Sequence, residues 1–234
     1  MSRLTFAATF LLVTSSSSIA QQASFAANDT GPAADAIFES KDAAVLSAGL
    51  TPLAKSSLKK GDREVRIWYS GFGNPQYLVV IRQTGANVSG RLILYWDQYY
   101  ESSPKNADTR VDNFVRKTYD CGAITKRDSH FGEDSWISST CEAALKGSPD
   151  WKAFLSEVEA HALPQSTAAN AEEQSDEANW GITVERRSGT IYGASHYRTA
   201  LTFGAPEPGR GPKLQDMVNS LAASAKRGPV VAQH

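Results

Sequence analysis

Tyr95-Trp96-Asp97-Gln98-Tyr99-Tyr100-Glu101 sets four aromatic rings and two carboxylic acids within seven residues. Flat rings beside carboxylates and amides suit a sugar, whose ring face stacks while its hydroxyls take hydrogen bonds. The same density of aromatics also marks protein contacts. The stretch continues the apolar run Leu92-Ile93-Leu94. On a strand, Trp96 would then extend the Leu92 and Leu94 side, and Tyr95 would share the other side with Ile93. Only Tyr99, Tyr100 and their neighbours would reach solvent in that arrangement. Tyr95, Trp96, Tyr99 and Tyr100 are the candidate binding residues, and their ligand is a protein or a glycan. Asp97 and Glu101 could be imagined as a paired acid and base, but such pairs arise by chance in a chain with 25 acids.

Two histidines sit in polar settings. His130-Phe131-Gly132-Glu133-Asp134 spaces a histidine and a glutamate three apart, as on one helical turn. A zinc motif needs a second histidine, and Gly132 weakens the helix that the spacing requires, so no metal site is expected. Gly193-Ala194-Ser195-His196-Tyr197 joins a hydroxyl to an imidazole. Adjacent strand residues point to opposite faces, and the second glycine of a nucleophile elbow is missing. His196 and His130 are therefore the candidates for a general base. No motif implies a cofactor.

Cys121 and Cys141 are the chain's two cysteines. In an oxidising compartment two thiols pair, and a closed loop of about 20 residues is worth roughly 3 kcal/mol in the chain-entropy account. Neither lies in a C-x-x-C pair, so a structural disulfide is expected rather than a redox or metal site.

The N-terminus predicts that compartment. Met1-Ser2-Arg3 opens with one cation, Leu4 to Val13 is free of charge, and Ser18-Ile19-Ala20 places small residues before a cut at Gln21. This is the pattern of a cleaved secretory signal over residues 1–20. Ala27 offers a second cut. Ten apolar residues rise only about 15 Å as a helix, half of a bilayer core, so no lasting membrane anchor is expected. The protein would be periplasmic or secreted. Asn28-Asp29-Thr30 and Asn87-Val88-Ser89 match the glycosylation acceptor pattern.

The 24 basic and 25 acidic residues leave a net charge of −1. That balance argues against a nucleic-acid partner and against a polybasic membrane binder. An apolar share of 41% is ordinary for a globular domain, so the chain as a whole is not disordered.

Residues 21–60 read as a flexible leader with one ambiguous stretch, in which Ala36 to Ala48 could form a short helix before Gly49 and Pro52. Residues 61–228 read as a single domain, and 229–234 as a tail. Val65, Ile67 and Tyr69 alternate; Gln76 to Gln83 is apolar on both faces, as a central strand would be; Val88 to Asp97 follows a turn. These three strands form an antiparallel meander. A helix from a cap at Asp108 carries Val111, Phe114, Val115 and Thr118, and residues 123–140 read as irregular. Ser148-Pro149-Asp150 starts a helix with Ser148 as the cap, carrying Trp151, Phe154, Leu155 and Val158. Residues 164–178 form a long loop. Trp180, Ile182 and Val184 alternate, Ser188-Gly189 forms a two-residue turn, and Thr190 to Thr202 returns. Pro212 opens a last helix with Leu214, Met217, Val218 and Leu221 in step.

The C-terminal part, roughly residues 149–225, resembles a pattern that recurs in uncharacterised exported bacterial proteins. The likeness rests on Pro149-Asp150-Trp151, Trp180, Val184-Glu185-Arg186-Arg187-Ser188-Gly189, His196-Tyr197-Arg198 and the closing amphipathic helix. It implies export and this order of elements, with no activity attached.

The expectation is an exported α+β domain whose antiparallel sheet of about five strands, a meander plus a hairpin, is covered by two or three helices. A non-catalytic binding module is the first functional reading. A hydrolase acting on an envelope or extracellular polymer with a histidine base is the alternative.

Overall fold

The computed structural model describes residues 41–70, 75–100, 109–131, 134–161, 181–197 and 210–228. The expected signal at 1–20, the cut before Gln21, Asn28, Glu101, the Asp108 cap, Trp180 and the 229–234 tail lie outside the described residues.

Strands β1 (Arg63–Ser70), β2 (Gln76–Thr84) and β3 (Asn87–Tyr99) form the meander. β6 (Gly181–Ser188) and β7 (Ile191–Tyr197) form the hairpin, which joins the sheet through β1. Its turn is Gly189-Thr190, one residue later than the sequence suggests, and Gly189 supplies the positive φ of 57° that a tight hairpin turn requires.

Among the described residues the sheet has seven strands where about five were expected. β4 (Thr125–Phe131) and β5 (Asp134–Ala143) come from the stretch read as irregular. All neighbours are antiparallel, in the order β4-β5-β3-β2-β1-β6-β7. β5 escapes a hydropathy reading because Ser138, Ser139 and Thr140, all at most 2% exposed, fill three successive core positions with hydroxyls. β2 is the middle strand, which accounts for its apolar residues on both faces.

One face of the sheet carries Val65, Ile67, Val79, Ile81, Leu92, Leu94, Trp96, Ile182 and Val184. Three helices cover it: α2 (Arg110–Thr118), α3 (Trp151–His161) and α4 (Arg210–Ser224). Val115, Leu155, Val158, Leu214, Val218, Leu221 and Ala222 are the buried apolar residues of those helices against this face. Fully burying one such side chain is worth about 1.5–3 kcal/mol. The cap of α3 falls two residues past Ser148: Asp150 Oδ1 accepts the backbone N–H groups of Lys152 and Ala153 at 3.1 and 3.0 Å.

The disulfide Cys121–Cys141 closes a separation of 20 residues. It fixes β5 to the segment after α2, where Cys121 also bridges Ala143. The end of α2 is tied to the end of α4 by Asp120 N–H to the Ala225 carbonyl and Arg227 N–H to the Thr118 carbonyl, both at 2.9 Å.

The second face is covered by part of the expected 21–60 leader. Residues 41–47 are helical and are designated α1. Ala44 and Val45 pack on Trp68, Leu78, Val80, Ile93 and Tyr95. A 3-10 turn, Leu53–Lys55, buries Leu53 beside the β6–β7 hairpin. Apolar residues of the expected leader thus fall where the sheet needs a cover.

Candidate functional site

The alternation of β3 separates the four aromatics of the sequence cluster. Trp96, 1% exposed, joins the helix-covered core and donates from Nε1 to Asp112 Oδ1 at 2.9 Å. Tyr95, 3% exposed, faces the other way, meets Trp68 edge-on at 5.3 Å and shares a hydrogen bond with Ser70 Oγ at 3.1 Å. Burial pushes the Tyr95 hydroxyl far above its ordinary pKa, so it stays protonated and serves the core. Tyr100 is buried against Ile137. Of the four candidates, only Tyr99 is exposed, at 46%.

The register supplies Tyr99 with other partners. Across the β3–β5 ladder it faces Trp136, and the rings meet edge-to-face with centroids 5.5 Å apart. One row inward, Asp97 faces Ser138, which donates to Asp97 Oδ1 at 2.6 Å. Beyond Ser138, across the β4–β5 ladder, lies the exposed Arg127. Residues i and i+2 of a strand share a face, so Tyr99, Trp136, Asp97, Ser138 and Arg127 all belong to the sheet face that α1 covers further inward. Ser47 of α1 bonds Thr140 at 3.1 Å, one row inward of Ser138. The strand end thus combines an aromatic pair, a carboxylate–hydroxyl pair and a guanidinium. Burial raises the Asp97 pKa above the usual carboxylate range, and the Ser138 hydrogen bond opposes that shift.

Sequence reasoning missed Trp136, Ser138 and Arg127 because β4 and β5 were not recognised as strands. One signal was present: Ile137, Ser139, Cys141 and Ala143 alternate with Trp136, Ser138, Thr140 and Glu142 once hydroxyl residues are allowed in a core.

The two histidine motifs fare differently from the aromatics. His130 lies in β4 opposite Ser135, so the one-turn spacing to Glu133 does not exist as a helix. His196 lies in β7 opposite Thr183, and Ser195 lies opposite Val184. The side chains of both histidines, and residues 132–133, lie outside the described residues. Among the described residues no three His, Cys, Asp or Glu side chains gather as metal ligands. Asn87 is exposed at the start of β3.

Beneath α1 a second set of polar groups converges, away from solvent. Lys41 Nζ donates to Thr183 Oγ1 at 3.0 Å and lies 5.6 Å from the Trp68 ring centroid. Trp68 Nε1 and Tyr192 Oη both donate to the Glu185 carboxylate. Burial pulls the Lys41 ammonium down to about 8, against the attraction of Glu185. Next to them Arg66 and Glu64 form an ion pair at 2.7 Å, with both side chains buried. These groups clamp α1 to β1 and β6.

The fold and the site define an α+β protein with a seven-stranded antiparallel sheet, covered on one face by three helices and on the other by α1. No protein-family model matches the chain, and neither a curated protein nor a solved structure matches it.

Proposed function

We propose that this chain is an exported, non-catalytic binding module whose ligand face is the free end of the β3–β5 ladder, and that the ligand is a glycan. One observation carries the reading: an exposed Tyr99 ring set against Trp136, one row from the Asp97–Ser138 pair. An exposed aromatic at a strand end costs hydration without a ligand, and a sugar ring supplies the flat apolar face that covers it. Asp97 and the exposed Arg127 are the adjacent acceptor and donor for hydroxyls, and the buried Ser138 holds the Asp97 carboxylate in place. Export is supported by the signal pattern at 1–20 and by the Cys121–Cys141 disulfide, which persists in oxidising compartments. No described helix is long and apolar enough to cross a membrane.

The test is calorimetric titration of the exported chain with β-1,4-linked glucose and N-acetylglucosamine oligosaccharides. Saturable binding by the wild type is expected, with at least about a tenfold loss in a folded Tyr99→Ala, Trp136→Ala variant, because one aromatic contact is worth about 0.5–1.5 kcal/mol beyond its area. Unchanged affinity in that variant removes the site. No saturable heat from any of the oligosaccharides removes the glycan. Cleaved oligosaccharide recovered after the titration would turn the reading to the hydrolase.

A further inference from the structure

The helices on the other face of the sheet leave apolar surface uncovered. Leu155 and Leu214 are fully committed to the sheet, but Phe154 and Met217, one residue before and three residues after them, are only half-buried. Between the outer sides of α3 and α4 they floor an open groove of about 640 Å³, with Leu221 beside them.

The lining follows helical rows. Its helical part takes positions 153, 154 and 157 on α3 and positions 216, 217, 220, 221 and 224 on α4, and residues 146–150, which lead into α3, complete the lining. Spacings of three and four residues place each set on one stripe of its helix, so the two stripes flank a channel. Two neighbouring helices with such stripes present the seat that a third helix fills by ridges-into-grooves packing.

The charge of the rim selects among helices. Asp150 and Glu157 edge the α3 side, Asp216 edges the α4 side, and Lys146 stands at one end. Asp150 and Glu157 are seven residues apart, about 10.5 Å along the axis. Asp150 also caps α3 through Oδ1 and Glu157 meets His161 Nε2 at 3.4 Å, yet three carboxylates against one ammonium still favour a cationic occupant, and the apolar floor demands that it carry hydrophobic side chains on one face. A glycan meets neither condition, so the groove is separate from the β3–β5 end.

We propose that the α3–α4 groove is the docking site for a basic amphipathic helix of a partner protein. The partner presents two or three apolar side chains at i, i+3/i+4 and i+7 to Phe154, Met217 and Leu221, with Lys or Arg flanking them toward Asp150, Glu157 and Asp216.

The probes are a Leu/Lys model helix of about 18 residues, roughly 27 Å long, and its Leu/Glu counterpart. Each carries one fluorophore and is titrated with the exported chain at low and at physiological salt. The Leu/Lys helix is expected to bind at least about tenfold more tightly than the Leu/Glu helix, with a preference that shrinks as salt rises. In Glu157→Lys, Asp216→Lys, two exposed replacements that leave the core untouched, the preference is expected to reverse. Binding of neither helix, equal binding of both, or a preference that survives the double replacement overturns the proposal. Circular dichroism of the variant separates loss of the groove from loss of the fold.

Discussion

Trp151 lies flat against the backbone of Gly90. A Cβ built on Gly90 would stand 2.5 Å from Trp151 Cδ2 and 2.7 Å from Cζ3, closer than real carbons approach. The first residue of α3 thus seats its ring in the one position of β3 without a side chain, and the entry of α3 onto the sheet is set by that pair.

Gly90→Ala is therefore expected to destabilise the protein even though alanine is an ordinary strand residue. The cost of forcing the ring aside is about 1–3 kcal/mol. Urea unfolding of Gly90→Ala, Trp151→Ala and the double variant measures it. The double variant should lose less than the sum of the singles, because the alanine methyl fills space that the indole leaves. Strict additivity would mean that the two residues do not touch in solution.

Asp112 holds the helix-covered core to α2 through polar bonds. Its Oδ1 accepts Trp96 Nε1 and Gln98 Nε2, each at 2.9 Å, and its Oδ2 meets Lys126 of β4. Asp112→Ala leaves two buried N–H donors without an acceptor, which costs about 3 kcal/mol. Asp112→Asn keeps one acceptor oxygen and should lose distinctly less. Chemical unfolding followed by tryptophan fluorescence gives both values. A loss under about 1 kcal/mol in the alanine variant would show that water replaces the carboxylate.

The legible part of this fold was the part written in hydrocarbon. Val65-Ile67-Tyr69 on β1, the two-faced apolar run of β2 and the stripe Leu214-Val218-Leu221 of α4 each carry the period of their element. β5 hid because Ser138, Ser139 and Thr140 are core residues with the composition of a loop, and only the pairing with β3 and the Cys141 disulfide shows why hydroxyls suffice there. The aromatic cluster at 95–101 was visible as composition, but the strand period sends Trp96 to one core and Tyr95 to the other. Its exposed member then takes its partner from Trp136, 37 residues further on. Such a site is created by register, and register is a property of two strands. The helix offered at 36–48 is present at 41–47 as α1, but its place on the sheet was hidden for a related reason: Lys41, Ala44, Val45 and Ser47 make sense only against the polar and apolar residues that β1, β3, β5 and β6 present to them.

Lys41 makes the attachment of α1 depend on pH. Glu185 attracts the ammonium; on the elements around it stand the buried Arg66–Glu64 pair of β1 and Asp42, the next residue of α1. Tyr192, on β7, bonds Glu185, and burial together with that carboxylate pushes its hydroxyl far above the ordinary tyrosine value, so it does not titrate in the same window. The folded Lys41 pKa of about 8 lies below the unfolded value of 10.5. Between these values the unfolded chain holds a proton that the folded chain has released. The Lys41 contribution to stability is then fully present above the unfolded value and is lost as pH falls through the folded one. Stability should rise between pH 8 and 9.5 with a slope of up to about 1.4 kcal/mol per pH unit from this one group. Lys41→Met, which keeps an unbranched stem one atom shorter and removes the titrating ammonium, should flatten that slope. The upper limit of the window is set by Tyr77, Tyr95 and Tyr192, whose raised values make the fold lose stability as the unfolded phenols ionise near pH 10. Urea midpoints of both proteins at three pH values across the window decide the matter. Parallel curves would show that the Lys41 ammonium is as well solvated under α1 as in the unfolded chain.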